Sequence, residues 1–141
     1  MQDKQKIFLD SNIVIYAYCT NSAEKQQKAK QLFAEKNVAI STQVLQETAN
    51  TLYRKFKVNF HIIRLLLEEC VCNATALHVN THETVLKACA IAENYQFSFY
   101  DSLIIASALE EECQILYSED MQHNQLIEKK LKIINPFLSL G

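Results

Sequence analysis

The sequence predicts an α/β fold in which a mostly parallel sheet of about four to five short strands is flanked by helices. Three observations carry this. Short apolar runs alternate with longer segments whose apolar residues recur at helical spacing, the pattern of a parallel sheet covered on both faces. Residues 101–112 are apolar almost all round, as a central, buried helix is. Asp10 and Asp120 fall at or just after the end of an apolar run, and open sheets of this kind bind ligands beyond the carboxyl ends of their strands.

The elements follow in order. KIFLD (6–10) reads as the first strand, and residues 12–18 start a helix. Residues 22–36 form a polar, Lys- and Gln-rich helix, and VAIS (38–41) a second strand. In 42–56 the apolar stripe is Val44, Leu45, Thr48, Ala49, Leu52, Tyr53 and Phe56. In 60–72 it is Ile62, Ile63, Leu66, Leu67 and Cys70. TALHV (75–79) is a third strand, and 82–95 a helix with Val85, Leu86, Cys89 and Ala92 on its apolar side. After the helix at 101–112 come QILYS (114–118) and a weaker strand, KIIN (132–135). No repeat, linker or low-complexity tract interrupts the chain.

The 141 residues fit one domain, and 49% hydrophobic content supports a globular core. No apolar stretch reaches the ~18 residues that span a bilayer. The start, MQDKQKIFLDSN, lacks an apolar run of signal-peptide length, so a cytoplasmic protein without membrane association is expected. Four of the five cysteines (Cys19, Cys70, Cys72, Cys89, Cys113) fall on patterns that read as buried helix faces, which favours reduced core thiols over a disulfide framework. The single glycine is Gly141. A Rossmann fingerprint, a P-loop and a nucleophile elbow all need internal glycines and are excluded, and the backbone is expected to turn with Asn, Asp and Ser.

The chemistry resides in four acids: Asp10, Glu47, Asp101 and Asp120. Carboxylates that converge in one cleft repel each other unless a cation sits among them, and oxygen ligands suit Mg²⁺ or Mn²⁺. Each acid also has a plainer role. Asp10 is placed to cap the helix that follows it. Asp101 opens the helix after FSFY, and capping would explain it equally; yet that helix is nearly all apolar, so its amino end should lie deep, where an unpaired carboxylate is costly. A helical wheel puts Glu47 with Gln43, Asn50 and Arg54 opposite the apolar stripe, as a solvated surface residue would be. Asp120, beside Glu119 in YSEDMQHN, suits a turn. Ser118 is placed to hold a metal-bound water or a phosphate oxygen. Other constellations are weaker. His78 and His82 are four apart, but a strand ends between them. Cys70-x-Cys72 has no second pair for zinc. Asn12, where phosphatases with an Asp-x-Asp nucleophile motif carry their second acid, cannot act as a general acid.

Net charge is −2, but setting the four acids aside from the 16 leaves 12 acidic against 14 basic residues. RKFK, with Arg54, Lys55 and Lys57, and the run Lys129, Lys130, Lys132 are candidate phosphate contacts. A solvated helix face is the simpler account of both.

Taken together, these segments resemble a PIN domain, and more narrowly the VapC-type toxins of bacterial type II toxin–antitoxin pairs. FLDSNIVIYAY resembles the family's first motif, STQVLQETANTL the second, FSFYDSLIIASALE the third and ILYSEDMQ the fourth. The match covers essentially the whole chain in the family's order. It departs after Asp120, where His123-Asn124 stands in place of a commoner glycine, and in the short MQDKQ extension. The resemblance implies a single PIN-like domain over 1–141, built as a three-layer sandwich. It implies a metal-dependent endoribonuclease with Asp10 and Asp101 as principal Mg²⁺ or Mn²⁺ ligands and Glu47 and Asp120 completing the pocket, while Asn12 and Ser118 orient ligands or water. It also implies an RNA substrate, a cognate antitoxin and a homodimer. Two other functions fit the same acids: a PIN-like nuclease of RNA processing, and a binding module with little turnover.

Overall fold

A computed structural model describes residues 5–138; most of the MQDKQ extension and residues 139–141, with Gly141, fall outside the described residues. Twelve elements alternate much as the periodicity predicts. They are β1 (Ile7–Leu9), α1 (Ser11–Tyr18), α2 (Ala23–Phe33), β2 (Val38–Ser41), α3 (Thr42–Arg54), α4 (Phe60–Asn73), β3 (Ala76–His78), α5 (His82–Tyr95), α6 (Phe99–Glu110), β4 (Ile115–Tyr117), β5 (Leu126–Ile127) and β6 (Leu131–Ile134).

The strands form one sheet in the order β3-β2-β1-β4-β6-β5, parallel except for the β5–β6 pair. β1 and β2 are fully buried, as parallel strands covered on both faces must be. From β1 the chain steps outward to β2 and β3, then returns to lay β4 on the other side of β1. Right-handed crossovers therefore put α1–α4 over one face and α5–α6 over the other. The helix contacts agree: α1 packs on α2 and α3, α3 on α4, and α5 on α6. This is the three-layer α/β architecture the sequence predicts. Among the described residues no helix is long and apolar enough to cross a membrane.

Several expectations need correction. The sheet has one strand more than predicted. β5 and β6 form a hairpin whose turn, closed by Lys130 N–H to Ile127 O at 3.0 Å, puts Glu128 (φ 52°) and Lys129 (φ 58°) in the left-handed region. Such turns usually carry Asn-Gly, so the hairpin gave no turn signal. More broadly, the left-handed positions fall to Lys57, Gln96, Glu112, Asn124, Glu128 and Lys129, of which Asn124 alone is an expected type. That residue makes the loop after Asp120 at φ 69° without glycine.

The buried side of α5 is Thr84, Ala88 and Ile91, not the predicted stripe: Val85, Leu86 and Cys89 are exposed. Small residues let α5 lie close against α6, which displaces its bulkier side chains to the surface. Ile62 on α4 and Tyr53 on α3 are likewise exposed. All five cysteines are free, but Cys72 and Cys89 are surface thiols. Lys129, Lys130 and Lys132 sit at the amino edge of the sheet, since Lys132 pairs with Ile115 at the start of β4. The acids lie at the opposite edge.

Candidate active site

The register of the central strands builds the site. Leu9 of β1 is paired with Tyr117 of β4, so Asp10 and Ser118 emerge side by side at the carboxyl edge. Here strand order reverses, because β1 leads away to β2 while β4 enters on its other flank. Such a switch point opens a crevice, since the two following connections diverge to opposite faces.

Asp10 is the N-cap of α1 and is 5% exposed. Its Oδ1 accepts from Ser11 N–H at 2.7 Å, and its Oδ2 accepts from the Ser118 hydroxyl at 2.8 Å. Burial raises its pKa to about 7; the Ser118 and Ser11 hydrogen bonds oppose the shift, and the charges of Glu47 and Asp101 add to it. The cap and a further ligand role coexist because Oδ2 keeps a second lone pair beyond the Ser118 bond. Ser118 itself is fully buried, and its oxygen accepts from Asp120 N–H at 3.3 Å. It anchors Asp10 and the 118–120 loop and does not face an open cleft.

Asp101 comes from the other helical layer. It does not open α6: Ser98 is the N-cap, accepting from Asp101 N–H at 3.2 Å, and Asp101 is the third helical residue. The Ser-x-x-Asp spacing is the signature of an amino-terminal cap, and it marks the start of α6 before Phe99. Nor is that end deep, since Phe99 and Tyr100 are 39% and 66% exposed. The apolar body of α6, Ser102–Ala108, is buried while its first turn reaches the surface. Asp101 is half-buried, and its pKa is raised by burial, opposed by the Ser98 hydroxyl and increased by the charge of Asp120.

Glu47 and its helix differ from the wheel in one respect. Glu47 is half-buried and Gln43, expected on a solvated face, is 4% exposed. The Gln43 amide donates to Glu47 Oε2 at 3.3 Å and to the Tyr100 carbonyl at 3.1 Å, tying α3 to the first turn of α6 beside Asp101. The polar face of α3 therefore lines the crevice, and this is what distinguishes Glu47 from a surface glutamate.

Asp120 is exposed, and Asn12 donates to its Oδ2 at 3.0 Å while accepting from Glu119 N–H at 3.4 Å. Glu119 turns the other way. It takes hydrogen bonds from Tyr16 and Lys25, and Lys25 also sits 5.0 Å from the Tyr16 ring and 5.4 Å from that of Phe137. Burial alone would raise the Glu119 pKa, but Lys25 and Tyr16 outweigh it and hold the carboxyl below its usual range. The Glu119 carboxyl is thus engaged by Lys25 and Tyr16, whereas that of Asp120 is held by Asn12.

No Lys, Arg or His pairs with Asp10, Glu47, Asp101 or Asp120 among the described residues. Their charges are felt mutually, as the shifts on Asp10 and Asp101 record. Among the described residues, however, no three Asp, Glu, His or Cys side chains stand close enough to enclose an ion by themselves. Uncompensated carboxylates repel and stand apart. A hard cation that keeps several of its waters fits this arrangement, since it needs one or two direct carboxylates and bridges to the rest through water. His78, by contrast, lies between Glu110 and Glu111 at 2.9 and 2.8 Å and plays no part in the crevice.

Arg54, Lys55 and Lys57 lie outside the acidic cluster. Arg54 is two turns beyond Glu47 on the same face of α3, about 10 Å along the axis. All three are exposed, and among the described residues none is in an ion pair.

No curated protein matches the chain significantly. Several solved structures share its fold, among them three of toxins or toxin–antitoxin complexes. VapC20 of Mycobacterium tuberculosis, described as a sarcin-ricin loop cleaving toxin, is 23% identical at a TM-score of 0.61, with 82% of this chain and 90% of that one covered. A toxin–antitoxin complex from Klebsiella pneumoniae matches at 15% identity and a TM-score of 0.69, covering 93% and 98%. VapBC2 from Rickettsia felis, bound to a DNA fragment from its promoter, matches at 17% and 0.63, covering 92% and 98%. The family model of the PIN domain matches residues 7–129, nearly the whole of the sheet and both acid-bearing layers, so the chain belongs to the PIN domain family.

Proposed function

We propose that this PIN domain is a Mg²⁺- or Mn²⁺-dependent endoribonuclease and the toxin of a type II toxin–antitoxin pair. The observation that carries the reading is Asp10. Its carboxylate is buried at the strand-order switch, is pushed up to about 7 by burial and by Glu47 and Asp101, and has no basic partner among the described residues. A protein selected for stability alone would not keep an uncompensated carboxylate there. The toxin assignment draws on the shared fold with an RNA-cleaving toxin and with toxin–antitoxin complexes.

In this reading Asp10 and Asp101 are the principal metal ligands, and Glu47 and Asp120 complete the pocket directly or through water. The bound ion supplies an activated water at neutral pH and neutralises charge on the phosphodiester. Ser118 holds the Asp10 carboxylate in register, and Asn12 holds Asp120 toward the crevice. Arg54, Lys55 and Lys57 contact RNA phosphates and position the strand without reading its sequence. Exposed apolar side chains on α4 and α5, among them Phe60, Leu65 and Leu86, give a second copy or an antitoxin a surface to cover.

The test is cleavage of structured and unstructured RNA by purified protein with Mg²⁺, Mn²⁺ or EDTA. Asp10→Asn and Asp101→Asn run alongside. Metal-dependent cleavage lost in both variants is expected. The same EDTA-resistant trace in all three proteins across a broad RNA panel would overturn the nuclease assignment in favour of a binding module. Growth arrest on expression, relieved by a neighbouring gene, separates a toxin from a nuclease of RNA processing.

A further inference from the structure

Among the described residues two buried side chains, Gln43 and Thr48, each hold a polar atom without a hydrogen-bond partner, and of the two Gln43 is the one bonded to a candidate site acid. It is the second residue of α3 and 4% exposed. Its Nε2 faces two acceptors, Glu47 Oε2 and the Tyr100 carbonyl. Both oxygens accept from this amide, so a flip would set the Gln43 oxygen against two acceptors. The orientation leaves Gln43 Oε1 buried, with no hydrogen-bond partner among the described residues. A buried amide oxygen without a donor is destabilising, and an apolar side chain of the same shape sheds that cost. The Tyr100 carbonyl does not require Gln43 either, since it lies inside α6, where helical bonding satisfies it. What an apolar residue cannot do is hold Glu47.

We propose that Gln43 is a positioning residue for the metal centre. Its amide fixes the Glu47 carboxylate against the first turn of α6 and so sets the separation between Glu47 and Asp101, on opposite walls of the crevice. The inference rests on Glu47 belonging to the metal pocket. It goes further in assigning a stability-for-function exchange to a residue that neither binds metal nor touches RNA. Partners that orient ligating carboxylates commonly change metal affinity 10–100-fold when removed.

The test compares wild type with Gln43→Met, which keeps volume and removes both the donors and the stranded oxygen. Thermal melting in EDTA is expected to leave the variant as stable as wild type or more so. Mn²⁺ affinity, measured by calorimetry without RNA, is expected to fall about 10-fold or more, with kcat for cleavage reduced and KM for RNA unchanged. In a Glu47→Gln background, Gln43→Met should add no further loss of Mn²⁺ affinity, because Gln43 acts through Glu47. Equal Mn²⁺ affinity in wild type and Gln43→Met overturns the inference while leaving the nuclease assignment standing. A large fall in apo stability that accounts for the lost affinity also overturns it, because it assigns Gln43 to packing. Absence of Mn²⁺ binding by wild type overturns both readings together.

Discussion

Replacing Asp10 with Asn isolates the energetic cost of the site. The folded protein raises this carboxyl from 3.8 to about 7, chiefly by burial. A raised folded pKa means the folded state holds the proton more tightly than the unfolded chain. The stability this contributes is complete below pH 3.8 and is lost as pH climbs through about 7. At about 1.4 kcal/mol per tenfold change in proton affinity, a rise from 3.8 to about 7 corresponds to roughly 4 kcal/mol, and above pH 7 that is the cost of keeping the charge buried. Asparagine carries no charge to bury, and its oxygen can still accept the Ser11 N–H cap. The Asp10→Asn protein should therefore gain on wild type as pH rises, by about 2–3 kcal/mol more at pH 8 than at pH 5. Urea unfolding in EDTA at the two pH values measures this as a shift in midpoint at constant slope. Taking the difference between proteins cancels the titration of distant groups. Adding Mn²⁺ at about 100 times its Kd should restore about 2.7 kcal/mol to wild type and little to the variant. Equal stability at both pH values, or a variant weaker at pH 8, would refute the argument, because Ser118 and Ser11 would then satisfy an ionised Asp10 without strain.

Three further outcomes follow from particular contacts. Glu112 closes α6 at φ 59°, with Cys113 N–H reaching back to Ala108 O at 3.0 Å, and Gln96 ends α5 at φ 63°; Glu112→Gly and Gln96→Gly should each stabilise the protein by about 1 kcal/mol, read from urea midpoints. Asp120→Asn should reduce RNA cleavage more than Glu119→Gln does, because Asp120 faces the crevice and Glu119 faces Lys25 and Tyr16; equal losses would place Glu119 in the pocket. Arg54→Ala and Lys57→Ala should each weaken RNA binding by a catalytically dead variant irrespective of RNA sequence and lower the salt dependence by about one unit of log–log slope, measured by fluorescence anisotropy across a salt series.

How far the site was legible in the sequence depends on the range of the interaction that built each part. Asp10 and Asp120 were legible because each follows an apolar run, and a strand end is a local event. Ser98 was legible in principle through the Ser-x-x-Asp cap. Gln43 was not: a wheel sees the polar face of α3 but not the first turn of α6 that closes over it, 57 residues away in sequence. The same blindness affected α5, whose bulky residues suggested a buried face, whereas close approach to α6 selected Thr84, Ala88 and Ile91. The hairpin of β5 and β6 escaped because Glu128 and Lys129 occupy a turn that carries no mark of their type.

By itself the sequence determined the alternation of strands and helices, the parallel sheet and which acids end strands, since hydrophobic period and end residues are properties of a few neighbouring positions. Only the tertiary structure decided that Asp10 is encased while Asp120 is open, that Lys25 and Tyr16 engage Glu119, and that Gln43 is buried with one oxygen unmet among the described residues. Those outcomes depend on which surfaces the β1–β4 register and the two helical layers bring together, and burial, the main cause of the raised Asp10 pKa, exists only once they have met.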